Sequence, residues 1–296
     1  MAGPARELQR RRAPAVPAER PIGVFDSGIG GLTVLQQLSA VLPREQLIYL
    51  GDTARLPYGP KSRETVTAFA AECGDFLADR GVKLIVVACN TTSAVALDAL
   101  RERYPVPVLG VIAPGARAAL RATRRGRIGV IGTETTIASG AYERELRAIE
   151  PDVEIFTRAC PLFVPLAEEG WVDNDVARRT AALYLASLKR SGIDTLILGC
   201  THYPLLRPAI EDFMGPRVRI VDSAEETARE VRRLLRESRG LRARGRGSAS
   251  FFVTDTVQRF VRVGEQFYGA SVASAVRLVL PGEAGAAPRR RRRAAF

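Results

Sequence analysis

The sequence predicts an α/β fold made of two pseudo-symmetric, doubly wound parallel-sheet domains. From Pro21 onward, short runs of β-forming residues alternate with amphipathic stretches of helical period, which is typical of parallel strands joined by crossover helices. The chain also contains an internal echo, because residues 21–28 (PIGVFDSG) resemble residues 127–134 (RIGVIGTE). The alternation predicts the fold class, and the echo indicates two related half-molecules.

The individual elements follow from local patterns. Strands are expected at short apolar runs, in chain order Ile22–Phe25, Leu47–Leu50, Leu84–Ala88, Val108–Val111, Ile128–Ile131, Val153–Phe156, Leu196–Gly199, Arg219–Val221 and Phe251–Val253. Helices fill most of the gaps, including Leu32–Leu42 after the first strand. The stretch 62–78 shows the helical period most clearly, since its apolar side chains share one face: Val66, Phe69, Ala70, Cys73, Phe76 and Leu77.

The echo also predicts how the chain divides. We expect residues 21–114 and 222–280 to form the first domain and residues 115–221 the second. In open α/β sheets, ligands bind beyond the carboxyl ends of the strands, so the active site is expected in the cleft where the two sets of strand ends face each other. The basic ends of the chain, residues 1–20 and 281–296, are predicted to be disordered.

Composition excludes several classes of protein. A chain of 296 residues with 46% apolar residues is typical of a soluble globular protein. No apolar run approaches the roughly 20 residues of a membrane span, and the first 20 residues lack the apolar middle of a signal peptide, so we expect a cytoplasmic protein without a membrane partner. Four cysteines without metal-ligand spacing and a single histidine make a metal site improbable, and the cysteines are expected to be free thiols.

The net charge of +12 raises the alternative of a nucleic-acid-binding protein. Eighteen arginines and five glutamates fall in residues 1–20, 229–246 and 281–296, which leaves the rest of the chain close to neutral. Only three of the 44 basic residues are lysines, which is as consistent with codon composition as with a designed polyanion surface. We therefore expect no dedicated nucleic-acid function, and only weak, salt-dependent binding of polyanions by the Arg-rich tails.

Two cysteines carry the main functional hypothesis. Cys89 and Cys200 each follow an apolar run and open a short polar triplet, Cys-Asn-Thr in one case and Cys-Thr-His in the other. A single buried cysteine is usually a small apolar residue, but two at equivalent points of a duplication favour a chemical role. Helix N-termini and polar neighbours can lower a thiol pKa from ~8.5 toward neutrality. One thiolate could then remove a proton while the opposite thiol delivers one.

Three further groups could support these thiols. Asp26 opens the Gly-rich sequence DSGIGG at the start of a predicted helix, where backbone N–H groups can bind a carboxylate, although Asp26 could simply cap the helix. His202 lies two residues beyond Cys200 and could exchange protons with it, or it could be an ordinary strand-end residue. Glu169 is a weaker candidate for supporting Cys200, since carboxylates at helix ends are usually solvated.

Five ordered motifs resemble the glutamate racemases, within the wider family of cofactor-independent amino-acid, aspartate and hydantoin racemases. The resemblance spans about Pro21 to Tyr268. It implies two α/β domains that close over the substrate, interconversion of L- and D-glutamate, and a supply of D-glutamate for bacterial peptidoglycan. The motifs are DSGIGG at Asp26, GDTARLPYG at Gly51, ACNTTS at Ala88, GVIAPG at Gly110 and GCTHYP at Gly199.

The same resemblance implies residue roles. Cys89 is expected to act on D-glutamate and Cys200 on L-glutamate, with Asp26 and His202 assisting them as catalytic residues. The substrate contacts implied by the matching positions are Asp26, Ser27, Tyr58, Gly59, Asn90, Thr91, Thr201 and His202. A homodimer is a family-level expectation only.

The α-proton of an amino acid is far less acidic than a thiol, which raises the question of a cofactor. Pyridoxal phosphate would need a Schiff-base lysine, and Lys61, Lys83 and Lys189 offer no convincing site. We expect no cofactor and no metal. Two alternatives remain open: a racemase of aspartate or another amino acid, and a polyanion-binding protein built on a racemase-like core.

Overall fold

Two parallel sheets organise the chain, in a computed structural model that describes residues 16–283. The larger sheet has six strands in the spatial order β10-β9-β2-β1-β3-β4, and every pair is parallel. Its strands are β1 (Ile22–Asp26), β2 (Gln46–Gly51), β3 (Leu84–Val87), β4 (Val108–Gly110), β9 (Ser248–Val253) and β10 (Val276–Arg277).

The smaller sheet repeats the core of the larger one. Its four parallel strands, in the order β6-β5-β7-β8, are β5 (Arg127–Gly132), β6 (Glu154–Ala159), β7 (Thr195–Gly199) and β8 (Arg219–Asp222). This is the same arrangement as β2-β1-β3-β4, with the first strand of each set lying between the second and the third. The predicted fold of two pseudo-symmetric parallel-sheet halves is therefore confirmed.

Helices connect and cover the strands. They are α1 (Leu32–Val41), α2 (Arg63–Ala78), α3 (Asn90–Val95), α4 (Leu97–Arg103), α5 (Ile112–Ala122), α6 (Glu134–Ala138), α7 (Ala141–Ile149), α8 (Phe163–Glu168), α9 (Asp175–Arg190), α10 (Arg207–Met214), α11 (Ala224–Glu237) and α12 (Val257–Tyr268). Among these helices of residues 16–283, none combines the length and apolar character needed to cross a membrane.

Local chemistry explains where helices begin. Ser62 caps α2, because its hydroxyl accepts a hydrogen bond from the Thr65 backbone N–H at 3.3 Å, and Thr133 caps α6 in the same way through Thr136. The chain passes from the first sheet to the second through α5, and returns through α11, which packs against both α1 and α5. The predicted boundary at residue 114 lies within α5, and the one at residue 222 falls at the end of β8, just before α11; the division into domains remains a prediction.

All nine predicted strands are present, with shifts of one to three residues at their ends. β10 was missed, because two residues are too few to show an alternating pattern. The predicted disordered extension was also too long. Val16 is buried, and the Ala18 carbonyl accepts a hydrogen bond from Lys83 Nζ at 2.7 Å.

Lys83 anchors this N-terminal segment. Its ammonium is fully buried, pairs with Glu45 at 2.6 Å and also donates to the Gly240 carbonyl at 2.8 Å. At the other end, the Gly282 N–H donates to Glu72 at 3.1 Å, so residues 281–283 are placed as well. The remaining parts of both predicted tails, residues 1–15 and 284–296, lie outside the described residues.

Candidate active site

The polar strand-end residues of both sheets meet around one cavity. In each sheet the order of the strands reverses between the first and third strands of the set, and ligands of such folds bind at that reversal. Asp26 lies beside this cavity. Nine other residues predicted from the sequence line it: Ser27, Tyr58, Gly59, Cys89, Asn90, Thr91, Cys200, Thr201 and His202. The two thiols therefore line a common space from opposite halves.

The cavity has a volume of about 30 Å³. That is room for about two water molecules, and too little for an amino acid. The cavity therefore has to widen for a substrate to enter. The conformation described is closed.

Cys89 lies in neutral polar surroundings. It caps α3, its sulfur accepts from the Thr92 N–H at 3.5 Å, and its thiol donates to the Ser27 hydroxyl at 3.4 Å. Burial, together with the nearby Asp26 charge, raises the pKa of the Cys89 thiol to about 11, against the opposing hydrogen bonds from Ser27 and Thr92. Cys89 is therefore a thiol in this conformation, and the base role of either cysteine stays a prediction.

Asp26 is the charged neighbour of Cys89. Its carboxylate is completely buried, and Oδ2 accepts from the Gly28 N–H at 2.9 Å. Burial raises its pKa, while the charge on His202 and the N–H groups of Gly28 and Gly31 work in the opposite direction. Among residues 16–283, Asp26 Oδ1 has no hydrogen-bond partner. That oxygen is available to accept a proton.

Cys200 faces a charged relay instead. Its sulfur lies 3.8 Å from His202 Nδ1, and His202 Nε2 lies 3.1 Å from Glu168 Oε1. The other oxygen of Glu168 accepts from Arg259 at 2.9 Å. Burial alone lowers the pKa of His202, but its hydrogen bonds with Cys200 and Glu168 outweigh burial and raise the pKa to about 10. Burial raises the pKa of Glu168, yet the same bond with His202 brings its pKa below the usual value. His202 and Glu168 therefore form an ion pair between an imidazolium and a carboxylate.

Known proteins that resemble this chain identify its family. The family model described as Asp/Glu/Hydantoin racemase matches residues 22–231. The chain belongs to this racemase family. As a member it is an isomerase, and the resemblance inferred from the five sequence motifs is confirmed.

Several relatives share most of this racemase's length. A glutamate racemase of Geobacter metallireducens is 54% identical over 265 residues, which cover 89% of this chain and 98% of the relative. A solved glutamate racemase of Bacillus anthracis, isoform RacE1, is 42% identical with a TM-score of 0.87, covering 89% of this chain and 99% of the other. The glutamate racemase of Francisella tularensis, solved in complex with D-glutamate, is 39% identical with a TM-score of 0.85, covering 90% and 99%.

The carboxylate that supports Cys200 through His202 is not the one predicted. Glu169 is exposed at the C-terminal end of α8, whereas Glu168 is 8% exposed and bonds His202. The prediction chose the wrong one of two adjacent carboxylates, because successive residues of a helix point in directions about 100° apart and the sequence alone did not orient α8.

A glycine lets the two halves approach each other. A Cβ at Gly30 would lie 2.3 Å from the Thr201 hydroxyl and 2.6 Å from His202 Nδ1. The Gly-rich loop after β1 therefore packs directly on the Cys-Thr-His triplet of the other half, which any side chain at position 30 would push away.

The Tyr58 hydroxyl is bonded to a residue that does not line the cavity. The Tyr58 hydroxyl donates to the Asp52 carboxylate, which also accepts from the Thr254 hydroxyl at 3.0 Å. Next to it, the Gly59 carbonyl accepts from the Thr135 hydroxyl at 2.6 Å. The loop after β2 is thereby tied to both halves.

Sequence reasoning missed a threonine cluster. The hydroxyls of Thr91 and Thr133 lie 2.9 Å apart across the two halves, and Thr136 lies 2.9 Å from Thr133. Thr133 also lines the cavity. A signal was present, because the internal echo aligns Thr133 with Ser27, a residue already placed in the site.

The four cysteines of the racemase are free, and Cys73 and Cys160 are buried away from this cavity. The Lys83 ammonium is already paired with Glu45 and with the Gly240 carbonyl. Within residues 16–283, no group of three or more His, Cys, Asp or Glu side chains is arranged to hold a metal ion.

Proposed function

We propose that this racemase interconverts L- and D-glutamate by a cofactor-independent transfer of the α-proton between two cysteines, and that it supplies D-glutamate for peptidoglycan. The observation that carries the proposal is that Cys89 and Cys200 line a common cavity from opposite halves of the molecule. Thiols on the two faces of one α-carbon allow a proton to leave from one face and to return to the other.

The surroundings of the two thiols suggest a direction. Cys89, with its raised pKa, is placed to act as the acid, and His202 Nδ1 lies 3.8 Å from the Cys200 sulfur. We assign Cys200 as the base: as a thiolate it removes the α-proton of L-glutamate, which breaks the Cα–H bond and leaves a carbanion. The Cys89 thiol then delivers its proton to the opposite face and gives D-glutamate. The enzyme ends with a Cys89 thiolate and a Cys200 thiol, which is the form that accepts D-glutamate.

Support for the carbanion comes from the closed cavity. Negative charge develops on the α-carboxylate as the proton leaves, and fixed dipoles in a site without water stabilise that charge. The chain offers the hydroxyls of Ser27, Thr91 and Thr201, which belong to residues that line the cavity. These groups also suit the binding of two carboxylates.

The choice of glutamate rests on the relatives, including the Francisella tularensis enzyme solved with D-glutamate. A racemase of aspartate is the neighbouring alternative. We place the reaction in the cytoplasm, where thiols stay reduced. Homodimer formation and weak polyanion binding by the Arg-rich segments remain predictions.

One assay tests the proposal. Purified full-length protein is incubated with L-glutamate and no added cofactor, and the loss of optical activity is followed by circular dichroism. We expect the signal to decay to zero, and to change far more slowly with L-aspartate. Faster turnover of aspartate would reassign the substrate, and no turnover of either would contradict the proposal.

A further inference from the structure

The Asn90 side chain, next to Cys89, is held by a residue from the other half of the molecule. Tyr142 lies in α7, is only 1% exposed, and donates its hydroxyl hydrogen to Asn90 Oδ1 at 2.7 Å. α7 follows the first strand of the smaller sheet, whereas Asn90 begins α3 beside the larger sheet. One buried hydrogen bond therefore joins the two halves at the edge of the cavity.

The other end of the Asn90 amide has no partner. Asn90 is 3% exposed and lines the cavity, and its Nδ2 has no hydrogen-bond partner among residues 16–283. A buried donor left unpaired costs about 1–3 kcal/mol, so native structures seldom retain one without a purpose. Because the amide nitrogen carries only donors, the group that completes it must be an acceptor.

Tyr142 also determines which end of the amide faces the cavity. Its hydroxyl donates to Asn90 Oδ1, so the amide oxygen is the end that is already paired. The nitrogen is then the end left for a ligand.

We propose that Tyr142 is a positioning residue, which holds Asn90 so that Nδ2 donates to a carboxylate of the substrate. The inference rests on the proposed racemase function and adds a residue to it. Since Tyr142 and Asn90 belong to different halves, the donor is in place only when the halves are closed. Binding of the carboxylate and closure would then favour each other.

The test compares Tyr142→Phe with a matched control. Tyr104→Phe removes another buried tyrosine hydroxyl, which donates to the Ala71 carbonyl at 2.7 Å and does not line the cavity. We expect Tyr142→Phe to raise KM for both enantiomers about fivefold with a smaller change in kcat, the size of one lost hydrogen bond. Tyr104→Phe should leave both constants unchanged. An unchanged KM in folded Tyr142→Phe would overturn the proposal.

A double-mutant cycle separates positioning from a general structural effect. In the Asn90→Ala background, Tyr142→Phe should have almost no further effect on KM, because the group it positions is gone. Independent, multiplying effects would overturn the proposal. If Tyr142→Phe does not fold, Asn90→Asp takes its place: it keeps an oxygen that accepts from Tyr142 but removes the Nδ2 donor, so a rise in KM is expected and an unchanged KM would overturn the inference. Absence of turnover in the wild-type protein would instead contradict the proposed function.

Discussion

The two thiols occupy the same place in two copies of one strand arrangement, yet their surroundings differ. Cys89 is flanked by the neutral Ser27 hydroxyl and a backbone N–H, and the buried Asp26 lies nearby. Cys200 faces a chain of charges that runs through His202 and Glu168 to Arg259. A duplicated frame thus places two acid/base groups symmetrically, while their neighbours differ in charge.

Replacing either thiol should cost the most activity. Cys89→Ser and Cys200→Ser should each lower racemisation about 10²- to 10⁴-fold, the usual contribution of an acid/base group. Cys89→Ser should still exchange the α-proton of L-glutamate in deuterated water, and Cys200→Ser that of D-glutamate. Proton NMR measures both exchange rates. Equal exchange of both enantiomers by either variant would argue against one thiol per face.

The pH dependence of stability distinguishes the Cys200 side, which contains His202, from the Cys89 side. Its folded pKa of about 10 lies above the usual 6.5, so the stabilisation that it contributes is complete below pH 6.5 and is lost as the pH rises toward 10. Wild type should therefore exceed His202→Gln in Tm by several degrees at pH 6.5, and the gap should close by pH 10. Thermal unfolding across this range measures it. A gap that stays constant would mean that no imidazolium ion pair exists.

The adjacent carboxylates of α8 provide a matched pair. Glu168→Gln removes the charge that holds the imidazolium and should lower kcat/KM about tenfold, whereas Glu169→Gln, at an exposed position, should leave it unchanged. Since the two enantiomers are equal in free energy, kcat/KM must fall equally in both directions. Any asymmetry between the two sides can appear only in kcat and KM separately. Equal loss in both variants would mean that the relay is not the cause.

The smallest effect is expected at the outer end of the relay. Arg259 is 50% exposed, and an ion pair with that exposure contributes at most about 1 kcal/mol. Arg259→Gln should lower kcat/KM by at most about fivefold, and added salt should mimic the change in wild type. Arg262→Gln on the same helix is the control. A larger loss would make Arg259 more than a surface partner of Glu168.

The comparison also indicates what the sequence can reveal. Strand ends, the repeat and the residues beside Cys89 and Cys200 were readable, because parallel strands and their polar termini leave a local pattern. The internal repeat also aligns Thr133 with Ser27, but this signal was overlooked. The choice of Glu168 over Glu169 was not readable, since it depends on the rotation of α8. The raised pKa of Cys89 was not readable either, because it follows from burial that only the closed halves create.

In a two-thiol mechanism, the α-proton leaves one face of the substrate and a different proton arrives at the other. The most direct test follows wild-type enzyme with L-glutamate in deuterated water by proton NMR at early times. We expect the first D-glutamate formed to carry deuterium at Cα while the remaining L-glutamate keeps its proton. D-Glutamate that retains the original proton would show that a single group moves it between the faces, and would contradict the two-thiol account.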